Sequence, residues 1–358
     1  MNKIRLYVGP WYKEEKLYTY VELLFPFWGV VAKESMPYVR AAELQYQYSK
    51  NDFELVEDIA DADFVLVPYS YDRLKQVNPK KLQNIIEEAT AAGKLLLIDG
   101  AGDLETPIDI PNAVILRVSQ YAYSKRKNEI TIPFPAEDLL ETYCAGELQL
   151  RQKPVKPVVG FTGWADVPFK KRLKIFYKEF PIYIAEIFTP KRGAEHKGIL
   201  YRARVLKILS KDSRIDSNFT ARKTYSGHTK TIIGSVADNR KEFVENLLSS
   251  DYALCIKGDA NSSVRFYEAL SLGRIPLLLD TACVLPLETK VRYREFCIYV
   301  DWKDIDNITE KLLEAHNELS PETFIDMQRK ARQAYKEHLR FDAFSNELAA
   351  ILRTFIKV

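Results

Sequence analysis

The chain of 358 residues carries a formal charge of +3, with 47% hydrophobic and 28% charged residues. That balance excludes a disordered or fibrous chain, and the length exceeds what one hydrophobic core usually serves, so two domains are expected. So small a net charge, with no basic run interleaved with aromatics, argues against a nucleic-acid partner.

In chain order, "IRLYVGP", "ADFVLVPYS", "KLLLIDG" and "AVILRVS" are short apolar runs that end in Gly, Pro or Ser, and helix-suited segments separate most of them. This alternation predicts a parallel sheet wrapped by helices. "RQKPVKPVVG" (residues 151–160) carries two prolines among polar side chains and reads as a short stiff linker, which places a domain boundary there. The pattern then restarts: "VVGFTG" as strand and loop, "KKRLKIFYKEF" as helix, "IYIAEIF" as strand, "ILYRARVLKILSK" as helix, and "DYALCIKG", "RIPLLLD" and "FCIYVDW" as strands. From Pro321 the tail reads as helix, with a break near Phe341 and Phe344. No internal repeat of solenoid length occurs. The expected fold is α/β: a Rossmann-like domain over 1–153, a second over 158–335 facing it across a cleft, and a helix over 336–358 packing back toward the first.

Cys144, Cys255, Cys283 and Cys297 show no C-x-x-C spacing, and the neighbours of Cys255 and Cys297 are apolar, which suggests buried free thiols in a reducing compartment. "MNKIRLYVGPWY" lacks the apolar stretch of a secretory signal, and no run reaches the roughly 18 apolar residues of a membrane span. A cytoplasmic location is expected, with the modestly basic balance permitting transient contact with an anionic membrane face.

The stretch that bears chemistry is "GDANSSVRFYEALSLGRIPLLLD", from Gly258 to Asp280. It closes a βαβ unit, in which the loop and the helix N-terminus sit at the carboxyl edge of the sheet and attract anions. With Ser262 as cap, Arg265 falls in the first helical turn, where the dipole disfavours a cation by about 0.3–1 kcal/mol. Glu268 lies about 60° around the helix from it. One reading is an i,i+3 ion pair on a solvated face, worth about 0.2–0.5 kcal/mol. The other is that a diphosphate supplies the missing negative charge, bound by Ser262, Ser263 and bidentately by Arg265, with Glu268 free to accept from ribose hydroxyls. Phe266, Ala269 and Leu270 form the stripe that would pack this helix on its sheet.

These residues resemble the donor-site segment of the exostosin-like glycosyltransferases (family 47): Gly258, then Ser263-Val264-Arg265, Glu268-Ala269-Leu270 and Gly273-Arg274-Ile275-Pro276. "EDIADADFVLVPYS" (57–70), "NEITIPFP" (128–135) and "VVGFTG" with Arg172 are similar to further segments of that family in the same order. The resemblance implies a GT-B fold and an inverting transfer of sugar, in most characterised members from a UDP-sugar, to a hydroxyl of a glycan or glycolipid. It implies no cofactor beyond the nucleotide-sugar donor. Gly258, Ser262, Ser263, Arg265 and Glu268 would form the donor site, with Gly163, Arg172 and Arg222 as further candidates; Arg222 and Arg172 equally suit a solvated surface. The helix also resembles, more loosely, the α-1,3-fucosyltransferases, which use a GDP-sugar. A non-catalytic nucleotide-sugar-binding subunit of a glycan polymerase is a third reading.

An inverting transfer needs a base for the acceptor hydroxyl. Carboxylates just after first-domain strands are the candidates: Asp99 and Asp103 in "LLLIDGAGDLE", with Asp72 behind them, although each also suits an ordinary loop aspartate. Asp61-Ala62-Asp63 precedes a strand instead of ending one, and His196, His228, His316 and His338 lack ligand spacing, so no essential divalent ion is expected. Trp11 and Tyr12 offer sugar-stacking faces. No G-x-G-x-x-G follows the first strand, which disfavours a dinucleotide-dependent enzyme.

Overall fold

The computed structural model describes residues 2–10, 20–30, 45–102, 105–225 and 231–356. Strands β1 (Ile4–Tyr7), β2 (Phe53–Val56), β3 (Phe64–Leu66), β4 (Leu95–Asp99), β5 (Ala113–Arg117) and β6 (Glu129–Thr131) form a parallel sheet in the order β2-β1-β3-β4-β5-β6. Helices α1 (Phe25–Trp28), α2 (Tyr71–Val77), α3 (Pro79–Ala91) and α4 (Leu139–Tyr143) accompany this part of the chain. α3 starts cleanly because Pro79 needs no N–H partner and the Asn78 side chain accepts from Lys81 N at 3.0 Å. Its buried Leu82, Ile85 and Ala89, at helical spacing, cover one sheet face with Val65, Ile98 and Ile115. Alternate strand residues, Leu6, Leu97 and Val114, turn to the opposite face.

The second sheet contains β7 (Val158–Trp164), β8 (Asp216–Arg222), β9 (Tyr252–Cys255), β10 (Ile275–Asp280) and β11 (Ile298–Asp301), all parallel, in the order β11-β10-β9-β7-β8. Its helices are α5 (Phe169–Phe188), α6 (Gly198–Leu209), α7 (Val236–Leu248), α8 (Val264–Ser271), α9 (Ile308–Glu318) and α10 (Pro321–Ala334). A wide turn over Tyr335–Leu339 leads into α11 (Phe341–Ile356). Phe344, Leu348 and Leu352 of α11 are buried among Ile4, Leu6 and Leu97, so the chain ends on the sheet it began with.

Both sheets are doubly wound and share one order over five strands, the first adding β6 at its edge. The winding reverses between β1 and β3 in the first and between β7 and β9 in the second, the positions at which open α/β sheets leave a crevice at their carboxyl ends. Those ends face each other. Just beyond β5, Ser119 Oγ accepts from Asn261 N (2.7 Å), the Gln120 carbonyl from Asn261 Nδ2 (3.1 Å), and Tyr121 OH from Lys257 Nζ (2.8 Å).

The fold departs from the sequence reading in several places. "IYIAEIF" is not a strand: α5 runs unbroken through Pro181 to Phe188, because Phe176, Phe180, Ile184 and Ile187 keep helical spacing across the proline. β2, β6 and β8 escaped notice; β8 is a half-exposed edge strand, "DSNFTAR", without an apolar run. Ala136, Leu139 and Leu140 already belong to the core of the second sheet, so its packing begins ahead of the proline-bearing stretch. That stretch is tied down by Arg151, which bonds Asp251 at 2.6 Å. The four cysteines are free, but only Cys255 and Cys297 are buried; Cys144 and Cys283 are partly exposed.

Candidate active site

A pocket of 330 Å³ opens at the β7/β9 switch point. Thr162, Gly163 and Trp164 end β7 on one side; Gly258 and Asp259 follow β9, and the loop through Ser262 and Ser263 leads into α8. Gly258 N donates to the Ser262 carbonyl at 3.3 Å, closing the loop on itself. The N-cap of α8 is Ser263, one residue beyond the expected Ser262, and its side chain makes no capping bond. Both serines line the pocket.

Arg265 is held inward. Its Nη2 donates to the Thr162 carbonyl, and its guanidinium lies 4.1 Å from the Phe161 ring centre. The glycine at 163 makes room for this: a Cβ there would stand 2.9 Å from Arg265 Nη2. Phe266, Ala269 and Leu270 are buried in the core and fix the rotation of α8 that aims Arg265 at β7.

Glu268 lines the pocket but is not free, contrary to the sequence reading. It is 5% exposed and binds Arg240 Nη1 at 2.6 Å, while Arg240 also donates to Glu137 through Nε (2.9 Å) and Nη2 (2.6 Å). The carboxylate is oriented by α7, and one oxygen is already spoken for.

Sequence reasoning missed Arg202. It sits on α6 and reaches the same pocket, donating to the Ile256 carbonyl at 3.1 Å and, weakly, to the Trp164 carbonyl at 3.4 Å. Among the described residues its buried Nε has no hydrogen-bond partner. Burial, with the nearby charge of Arg265, pulls its pKa down to about 10. In "ILYRARVLKILSK" it reads as one more polar residue of an amphipathic helix, and no local motif marks it.

Other expected donor residues lie elsewhere. Arg222 ends β8 with its guanidinium bound to Glu242 Oε2 (2.7 Å), and its carbonyl accepts from Ala165 N and Asp166 N, so it shapes the loop after β7 without lining the pocket. Arg172 stands exposed in the first turn of α5, outside the lining.

On the first-domain side, Asp99 ends β4, is buried, and accepts from Ala101 N at 2.7 Å through Oδ1, as a turn aspartate does. Asp72 is exposed on α2. Asp103, Trp11, Tyr12 and His228 lie outside the described residues. The structure adds Glu105, which accepts from Tyr121 N and from Ser124 Oγ (2.8 Å), and whose pKa burial raises. Tyr121 in turn meets the buried Lys257, which also donates to the Ala194 carbonyl at 2.6 Å. Asp61 and Asp63 are at the opposite, amino end of β3, where Asp63 binds Arg5 at 2.9 Å. Among the described residues no three His, Cys, Asp or Glu side chains converge as metal ligands, and no helix is long and apolar enough to cross a membrane.

In comparison with known proteins, residues 185–315, which contain α6 through β11 and the loop from Gly258 to Ser263, match the exostosin GT47 domain model. Exostosin-1 of Drosophila melanogaster is 38% identical over 63 residues, a match that spans 18% of this chain and 8% of that protein. Among solved structures, a glycosyltransferase from Rickettsia africae ESF-5 aligns over 100% of both chains at 11% identity and a TM-score of 0.40. TarM aligns over 89% of this chain and 57% of its own at 12% identity and a TM-score of 0.34. The segment that is similar to the exostosin GT47 domain thus takes in both Arg202 and Arg265.

Proposed function

We propose that the chain transfers a sugar from a nucleotide-diphosphate donor, a UDP-sugar, to a hydroxyl of a glycan or glycolipid, with inversion at the anomeric carbon and without a metal ion. The observation that carries this reading is the convergence of Arg202 and Arg265 on one pocket at the switch point of the second sheet. Two half-buried guanidinium groups that repel each other gain from an anion placed between them. A diphosphate does so, and it is the leaving group whose developing charge must be stabilised during transfer. In this reading the two arginines hold the phosphates with the loop from Gly258 to Ser263. The second oxygen of Glu268 accepts from the ribose, and Gly163 lets the phosphates approach the backbone of β7.

The acceptor enters from the first-domain side, where a carboxylate takes the hydroxyl proton. Asp99, Asp103 and Glu105 are the candidates. The raised pKa of Glu105 gives it the basicity that this step favours. The test is a thermal-shift screen of nucleotides followed by an assay for release of nucleoside diphosphate. Stabilisation by UDP above GDP and AMP, with turnover of UDP-sugars in the presence of chelator, is the expected result. Stabilisation by GDP alone would move the assignment to a GDP-sugar enzyme, and tight UDP binding with no turnover of any UDP-sugar would leave a binding subunit.

A further inference from the structure

The structure places an unpartnered apolar face on α5, and we propose that this helix lies in the headgroup region of an anionic membrane and seats the protein on it. The surface is separate from the donor pocket and needs nothing from its assignment. Phe169, Leu173, Phe176, Tyr177, Phe180, Ile184, Ile187 and Phe188 are all exposed; Phe169 and Phe188, at the two ends, are 80% and 82% exposed. At 100° per residue these eight side chains fall within an arc of about 120°. The opposite side of the helix is the one that packs on the protein, through the buried Ile175 and Glu179.

The charges say what covers the apolar arc. Five of the first ten residues are basic: Lys170, Lys171, Arg172, Lys174 and Lys178. Lys170, Lys174 and Lys178 follow one another at i,i+4 along one border of the arc, and Arg172 stands beyond the other border. The only two acids of the helix, Glu179 and Glu186, are drawn to the protein side, where they grip His196 through Nδ1 (3.0 Å) and Nε2 (3.1 Å). An outward surface with a broad apolar face, a cationic rim and no carboxylate is complementary to acidic lipid headgroups over an acyl layer. The helix is too polar to cross a bilayer, so it lies in the interface plane. Its first turn adjoins the donor pocket, with Lys171 Nζ 4.2 Å from the ring centre of Trp164, so a seated protein holds the cleft close to the lipid surface.

The experiment is co-sedimentation of the full chain with vesicles of phosphatidylcholine alone or of phosphatidylcholine and phosphatidylglycerol in equal parts, at low and high salt. Two variants accompany it: Phe169→Ser with Phe180→Ser and Phe188→Ser, and Lys170→Gln with Lys174→Gln and Lys178→Gln. All six positions are exposed, and near-ultraviolet dichroism checks that both variants keep the native fold. The expected result is salt-sensitive binding to the anionic vesicles, weakened about tenfold or more by the serine variant. The glutamine variant should lose the preference for anionic over neutral vesicles. Absence of binding to anionic vesicles, or binding that neither variant alters, overturns the proposal. So does a dimer, seen by light scattering, that dissociates in the serine variant while the wild type ignores vesicles, since the face would then belong to a second copy of the chain.

Discussion

Arg202 and Arg265 reach one pocket from two different helices, and the charge of the second, added to burial, lowers the pKa of the first to about 10. Two like charges held close repel, which weakens the ligand-free protein and strengthens its hold on an anion. Replacing Arg202 with Met is therefore expected to leave the melting temperature of the ligand-free protein unchanged or higher. The same change should weaken UDP binding by roughly 10- to 150-fold, about 1.5–3 kcal/mol for a charge-assisted bond. Arg265→Met should weaken it at least as much. Calorimetric titration and a thermal melt on the same samples check both halves, and unchanged UDP affinity in both variants would falsify the pocket assignment.

Gly163 offers a milder perturbation of the same site. A methyl group there meets Arg265 Nη2 at 2.9 Å, and since that atom ends a flexible side chain, the guanidinium should move while the strand stays. Gly163→Ala is expected to weaken UDP less than Arg265→Met does, by about tenfold, with a modest loss of stability because the φ of +158° at this position suits glycine. A loss of folding instead would show that the glycine serves the strand and not the arginine.

For the base, Asp99→Asn and Glu105→Gln should each retain UDP binding, because neither lines the pocket of Arg202 and Arg265. The variant that removes the working base is expected to lose about 10²- to 10⁴-fold in transfer rate, the usual contribution of general base catalysis. Single-turnover rates with donor and acceptor distinguish the two. Equal, small losses in both would point to Asp103.

Lys257 makes stability depend on pH. Burial lowers its pKa to about 8, against 10.5 for the ordinary side chain. Between those values the unfolded chain binds the extra proton, so the folded state gains stability as pH rises through that window, by roughly 3 kcal/mol in all. The comparison to make is wild type against Lys257→Met by denaturant melts from pH 7 to pH 10. The wild type should gain on the variant as pH rises, and parallel curves would mean that Lys257 is not held in a dry setting.

The returning helix carries part of the first domain's stability. Phe344 is fully buried with Ile4 and Leu6, so Phe344→Ala is expected to cost about 3–5 kcal/mol. Urea denaturation followed by fluorescence reports it. A loss under about 1 kcal/mol would mean that α11 is only loosely applied to the sheet.

Much of the architecture was legible because short apolar runs closed by Gly, Pro or Ser are what a doubly covered parallel strand requires. β1, β3, β4, β5, β7, β9, β10 and β11 all announced themselves this way. β8 did not, since an edge strand half open to solvent needs no apolar run, and the distal part of α5 misled because its apolar residues face outward and so resemble a buried strand.

The site divides along the same line. The awkward Arg265, the serine loop and the Glu268 helix could be read from one contiguous stretch, because dipoles, caps and helical spacing are local properties of the chain. Arg202 and Glu105 could not, nor could the capture of Glu268 by Arg240. Each is defined by a partner brought from another element, and a side chain becomes strained, desolvated or spoken for only when the tertiary fold closes that distance.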